Sequence, residues 1–162
     1  MAIPVITLLD SAQTSSVSSW TIGTLKSQVD SDIFEVNVWN NKGGTSAVSD
    51  LQSASVTVVA ADGSNNSDVV TNTWVQVRIN DEVDAGSAAV FTKIGGSTVA
   101  ALYYKGATGT DKTNQIIKGT TNDGTAANSA TNYCNCKFKV NIPMNAVAGA
   151  QTFKIRFQGY YV

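Results

Sequence analysis

The sequence contains no histidine among its 162 residues. This absence excludes serine–histidine and cysteine–histidine catalysis and most zinc chemistry, because these sites depend on the imidazole ring. Paired carboxylates would remain for glycoside cleavage. However, the acidic residues cluster in predicted turns, as at Asp81, Glu82 and Asp84, and only Glu35 lies on a well-patterned strand. We therefore predict that the protein is not an enzyme and has no cofactor.

Oxygen-rich turns offer the remaining metal chemistry, since calcium binds oxygen ligands. The best candidate is the turn at residues 80–84, and the second is the turn at residues 30–32. Neither spacing matches a defined calcium loop. Solvated turns in which Asp and Asn hydrogen-bond to nearby backbone explain both stretches better. We predict no metal site.

Charged residues are also scarce, at 14% of the chain against about 25% in an ordinary soluble protein. Eleven basic and twelve acidic residues leave a net charge of −1, which gives no electrostatic basis for binding nucleic acid or an anionic membrane. Serine, threonine, asparagine and glycine take the place of the missing charges. Such a neutral surface suits a protein that lies against neighbouring subunits.

Long apolar runs are missing too. No stretch approaches the ~20 apolar residues of a membrane span. The run at residues 3–9 is short, is interrupted by Pro4 and ends at Asp10, and no basic segment precedes it, so it does not resemble a signal peptide. We expect synthesis in a cytoplasm without export.

The chain has two cysteines, Cys134 and Cys136. Residues two apart on a strand point to the same face, so we expect two small buried thiols in the core. A disulfide between them would strain an extended strand. Two ligands do not complete a zinc site within one chain, so a metal would need other subunits.

Alternation of apolar and polar residues is the strongest pattern present. It predicts antiparallel strands with one buried face over residues 33–39, 54–60, 69–79, 132–140 and 151–162. A further pair is predicted at 87–93 and 97–104, with weaker strands at 3–9 and 114–118 and a weak helix at 24–32. Strands at spacings of about ten residues indicate a single all-β domain over residues 1–162, an antiparallel β-sandwich or jelly roll with eight or nine strands.

Four aromatic residues lie opposite the apolar stripe of their own predicted strands: Trp39, Trp74, Tyr133 and Tyr160. A loop or the amino-terminal segment would cover them in one interpretation. In a second, they anchor a subunit interface, where Trp and Tyr are enriched. In a third, they form a stacking platform for sugars. Tyr161 and Val162 would be available for edge pairing at the carboxyl end.

Residues 141–149 (Asn-Ile-Pro-Met-Asn-Ala-Val-Ala-Gly), followed by Phe153-Lys-Ile-Arg-Phe157, resemble the last hairpin of many immunoglobulin-like bacterial and phage structural domains. The wider pattern resembles small accessory proteins of tailed-phage particles. This resemblance implies a non-enzymatic virion structural protein, a capsid decoration, neck or tail subunit, that binds other virion subunits and copies of itself. The alternative is a carbohydrate-binding module that would use the same aromatics to bind a glycan.

Overall fold

Eight strands form two antiparallel sheets in the computed structural model, which describes residues 2–162 of the chain. The larger sheet has the order β1–β2–β7–β4–β5, with β1 at Ile6–Leu9, β2 at Phe34–Asn40, β7 at Tyr133–Val140, β4 at Val75–Ile79 and β5 at Thr92–Ile94. The smaller sheet has the order β6–β3–β8, with β6 at Ala100–Ala101, β3 at Gln52–Ala60 and β8 at Phe153–Tyr160. The predicted all-β antiparallel sandwich is confirmed.

One hydrophobic core lies between the two sheets. The alternating apolar residues of the larger sheet, such as Val36, Val38 and Phe138, meet Val56 and Val58 of the smaller sheet. The two cysteines belong to this core, are fully buried and are free thiols, with their Sγ atoms 3.9 Å apart. The prediction that both point to the same buried face is confirmed, and burial raises the pKa of the Cys136 thiol.

The last two strands do not form a hairpin. β7 lies between β2 and β4 in the larger sheet, whereas β8 pairs with β3 in the smaller one. Residues 141–152 therefore cross from one sheet to the other. The expected hairpin is wrong because alternation reveals which face of a strand is buried and not which strand lies beside it.

Two other predictions differ from the structure: one long strand is interrupted, and one strand pair is divided between the sheets. Residues 69–79 do not form one strand, because the short helix α1 (Asp68–Thr71) precedes β4 and Thr73 adopts a φ of 49°. The pair expected at 87–93 and 97–104 becomes β5 in the larger sheet and β6 in the smaller, joined by one bridge between Gly95 and Thr98. Residues 87–104 thus change sheets at a turn that alternation does not mark, whereas residues 69–74 belong to neither sheet.

Short helices and bridges replace the weakest predicted elements. Residues 24–32 contain no helix, and residues 114–118 contribute the end of α2 (Thr110–Asn114) and an isolated bridge from Ile117 to Leu51. Neither α1 nor α2 is long and apolar enough to cross a membrane, and residues 2–162 hold no other helix that could.

Candidate interaction surface

Trp39 and Tyr133 form a small cluster on the outer face of the larger sheet. They are paired across β2 and β7, and their rings stack with centroids 4.8 Å apart. The loop after β1 reaches Trp39, whose Nε1 donates a hydrogen bond to Gln13 Oε1 at 3.1 Å. From the turn after β2, Lys42 Nζ lies 5.5 Å from the Trp39 ring centroid. Trp39 is 0% exposed and Tyr133 is 6% exposed. The expectation that these two rings face a neighbour is wrong, because the chain's own amino-terminal segment buries them.

Trp74 is also buried, at 3% exposed, and it packs in the main core. It stands one residue before β4, after the positive φ of Thr73, so the alternation of β4 does not extend to it. Its backbone N–H donates to Val69 O, and its own carbonyl accepts from Asn141 N. Trp74 therefore offers no surface for a partner or a sugar, and that expectation is wrong as well.

Tyr160 and Tyr161 are the predicted aromatics that reach solvent, with 54% and 51% of their surface exposed. Ser49 ties the two ends of the chain together beside them, because its N–H donates to Ala2 O and its hydroxyl donates to Val162 O. The backbone at Ala2 and at Val162 therefore meets at Ser49, and exposed apolar side chains follow the first of these residues and precede the second. We call this the terminal patch, and its members are Ile3, Tyr160, Tyr161 and Val162.

The terminal patch continues into a free strand edge. β8 pairs with β3 along one side from Phe153 to Tyr160, and its other side forms no hydrogen bond with any other described residue. The outer face of β8 carries Lys154, Arg156 and Gln158, all exposed. An unpaired edge of this length is a template for another strand unless something blocks it.

An apolar groove lies beside this edge, between β8 and residues 17–23. Its cavity has a volume of about 400 Å³ and is lined in part by Phe153, Ile155 and Phe157. A second cavity of about 740 Å³ continues it toward residues 142–151, and both cavities share Ile22 and Phe153. The two sheets are therefore less tightly closed at the β8 side than in the centre of the core.

Trp20 fills part of the groove. Its ring stacks on Phe34 with centroids 5.0 Å apart and meets Phe153 edge-on at 5.9 Å. This contact was not predicted from the sequence. The signal was the alternation of Trp20 and Ile22 with exposed polar residues, which resembles a short strand although no strand pairs there.

The acidic turn at residues 80–84 is held by ion pairs and hydrogen bonds. Asp81 binds Lys137 Nζ at 2.5 Å and Lys105 Nζ at 3.0 Å, and these contacts lower the pKa of its carboxyl to about 2. Glu82 pairs with Lys112 at 2.8 Å and accepts a hydrogen bond from the Tyr103 hydroxyl. Across residues 2–162, no group of three or more acidic or cysteine side chains lies close enough to bind a metal ion. The carboxylates of Asp81 and Glu82 therefore connect this turn to neighbouring loops and to β7.

No family model matches the sequence, and a search of curated proteins finds no match either.

The terminal patch, the free edge of β8 and the adjoining groove are the features that an interaction surface needs. They combine exposed aromatic side chains with unpaired backbone groups and apolar area along one side of the sandwich. The structure brings Tyr160 and Tyr161 to this surface and keeps Trp39, Trp74 and Tyr133 away from it. The surface therefore differs from the one that the sequence indicated, although it includes the carboxyl-terminal tyrosines.

Proposed function

We propose that the protein is a non-enzymatic structural subunit of a virion, which binds other subunits of the particle through β8 and the terminal patch. The observation that carries the proposal is the free edge of β8 leading into exposed Tyr160 and Tyr161. Edge strands add backbone hydrogen bonds to a partner, and neighbouring aromatic anchors supply most of the binding energy in many interfaces.

The composition supports the same proposal. Few charges and many hydroxyl and amide side chains suit contacts with neighbouring subunits better than contacts with nucleic acid. The virion assignment itself rests on the resemblance of residues 141–157 to structural domains of phage particles. The crossing of this segment between sheets means that it joins two layers of the sandwich instead of turning within one.

The test is whether the native chain sediments with particles. Lysate of the native source is separated on a density gradient, and an antibody against the chain locates it. We expect the chain in a fraction of megadalton particles, with immunogold label on those particles in electron micrographs. Recovery only at the position of a free 17.0 kDa protein would contradict the proposal.

A glycan array provides the complementary test. Three of the four aromatic residues that a sugar platform would use are buried, which leaves Tyr160, with its neighbour Tyr161, for stacking. We expect no glycan to bind. Binding that is lost when both tyrosines are replaced by serine, in a chain that does not sediment with particles, would favour the carbohydrate-binding alternative over the structural role.

A further inference from the structure

The free edge of β8 is long and regular enough to pair with another strand. Its eight residues span about 26 Å at ~3.3 Å per residue. The irregularity in the β3–β8 ladder, between Gln52 and Ser55, falls on β3, where Ser53 has a φ of 46°. Alternation along β8 is therefore unbroken: Phe153, Ile155 and Phe157 face inward, and Lys154 and Arg156 face outward.

Gly159 shows that the odd-numbered positions still face inward at the end of β8. A Cβ atom built on it would lie 2.9 Å from Leu51 Cδ1, so this position points toward the sandwich interior. Continued alternation places Tyr160 on the outer face and Tyr161 on the groove side. The two exposed tyrosines therefore belong to different faces of the strand, and a partner strand would meet both.

Symmetry restricts how β8 can pair with a second β8. A two-fold axis normal to the sheet gives an antiparallel pair in which the inner faces of both strands stay on the same side. Directly opposite residues then share a face, so one residue must lie opposite its own copy, with the axis midway between the two. The centres that keep most of the strand paired are Arg156 and Phe157. Centring on Arg156 places two arginines directly opposite each other, and like charges in that position are destabilising.

Centring on Phe157 weakens this repulsion, because it moves the two Arg156 side chains from directly opposite to diagonal positions about 7–8 Å apart. It places Arg156 opposite Gln158 of the second copy and Lys154 opposite Tyr160, a cation beside an aromatic ring. On the inner face, the two Phe157 rings meet at the axis. Tyr161 of each copy then lies opposite Phe153 of the other, where it extends over the mouth of the groove.

We propose that β8 pairs antiparallel with β8 of a second copy of this chain, in the register that sets Phe157 opposite Phe157. The partner is the second copy because its own β8 supplies the complement: neutral Gln158 and Tyr160 in one half of the strand meet cationic Arg156 and Lys154 in the other half. This inference rests on the proposed structural role and names one partner within it.

Cysteine cross-linking tests both the partner and the register. Arg156→Cys and Gln158→Cys are made separately in chains of different length, and each is oxidised gently alone and in an equimolar mixture. Opposite residues in an antiparallel pair have Cα atoms about 4.5–5.5 Å apart, within the span of a disulfide. Both positions are exposed, and the native cysteines are fully buried, so the introduced thiols react first.

We expect the mixture to give severalfold more disulfide-linked dimer, of the mixed length, than either variant alone. Faster cross-linking of Arg156→Cys with itself would overturn the register in favour of the one centred on Arg156. Absence of any cross-link, together with a monomeric mass of the unmodified chain by light scattering at high concentration, would overturn the pairing itself.

The outcome is independent of the test of the proposed function. A chain that sediments with particles but shows no cross-link and stays monomeric keeps the structural role and loses the second copy as the partner of β8. A chain that cross-links in the expected register but never sediments with particles keeps the β8 pair and loses the virion role.

Discussion

Asn40 joins three segments of the chain through one fully buried amide. Its Nδ2 donates to the carbonyls of Ser49 and Ile117 at 3.0 and 3.2 Å, and its Oδ1 accepts from Val5 N at 3.1 Å. It thereby connects the end of β2 to the amino-terminal segment and to two loops. A side chain without an amide would leave the Ser49 carbonyl without a partner among the described residues, whereas the Ile117 carbonyl would keep its hydrogen bond from Leu51 N.

We predict that Asn40→Ala lowers the free energy of unfolding by about 1–3 kcal/mol, because a buried carbonyl left unpaired costs roughly that much. Urea denaturation at pH 7 measures the change. Asn66→Ala is the matched control, since Asn66 is exposed and its side chain forms no hydrogen bond with the described residues. Equal stability of the two variants would show that the Asn40 contacts contribute nothing net.

Asp81 gives the protein a specific response to acid. Its pKa in the folded state is about 2, below the ordinary value of 3.8, because Lys137 and Lys105 bind the carboxylate. Since the folded pKa is the lower one, the stabilisation is complete above about pH 4 and is lost as the pH falls toward 2. The Asp81 side chain is 39% exposed, so solvent screens much of the interaction.

We predict that Asp81→Asn lowers the free energy of unfolding by up to about 1 kcal/mol at pH 7, and by only a small part of that at pH 2, where folded wild-type Asp81 is about half protonated. Denaturation curves at pH 7, 4 and 2 give the comparison. Asp32→Asn serves as the control, because the Asp32 carboxylate forms no salt bridge with the described residues. A loss that persists undiminished at pH 2 would contradict the role of the ion pairs.

Burial of single residues was the least predictable property at this scale. Trp39 and Tyr133 do lie opposite the apolar stripes of β2 and β7, as the alternation indicates. Alternation does not predict the path of residues 10–16. These residues fold back over this face, and Gln13 accepts a hydrogen bond from Trp39. An off-core aromatic is thus equally consistent with an interface and with a covering loop until the loop's position is known.

At the scale of elements, residues 17–23 are a covering segment whose backbone is anchored only at Val17, where the N–H donates to Leu8 O. Residues 18–25 form no hydrogen bond with the rest of the described chain. The contacts of Trp20 with Phe34 and Phe153 therefore carry most of the attachment. A segment without backbone hydrogen bonds opens more readily than the strands around it.

We predict that Trp20→Ala accelerates tryptic cleavage after Lys26 by about tenfold or more, because losing a packed aromatic ring costs well over the ~1.4 kcal/mol that a tenfold change requires. Mass spectrometry of a timed digest under native conditions identifies the cut. Thr21→Ala is the control, as Thr21 is exposed on the same segment. An unchanged rate at Lys26 would mean that another contact holds the segment.

The strands themselves were largely predictable, whereas their partners were not. Alternation located the long strands β2, β3, β7 and β8 to within two residues, because each has one face in the core. It assigned chain neighbours to one another, yet β7 and β8 belong to opposite sheets. Both layers of a sandwich bury one face against the same core, so the burial pattern of a strand is the same in either sheet.

For the whole molecule, the important difference is between aromatic residues that are buried within the chain and aromatic residues that are exposed to solvent. Trp39, Trp74 and Tyr133 are buried within the single chain, whereas Tyr160 and Tyr161 project from the end of β8. The first set contributes to folding whether or not a partner is present. The second set contributes little to folding and has area available for a partner.

We therefore predict opposite effects for the two sets. Replacing Tyr160 and Tyr161 together by serine should change the free energy of unfolding by less than about 1 kcal/mol, as exposed substitutions do, yet remove the chain from the particle fraction. Trp39→Ser, which empties a buried stacked pair, should cost about 3–5 kcal/mol. Urea denaturation gives the stabilities and gradient sedimentation gives the particle fraction. If the double tyrosine variant lost as much stability as Trp39→Ser, or still sedimented with particles, the proposed role of the terminal patch in binding other subunits would be contradicted.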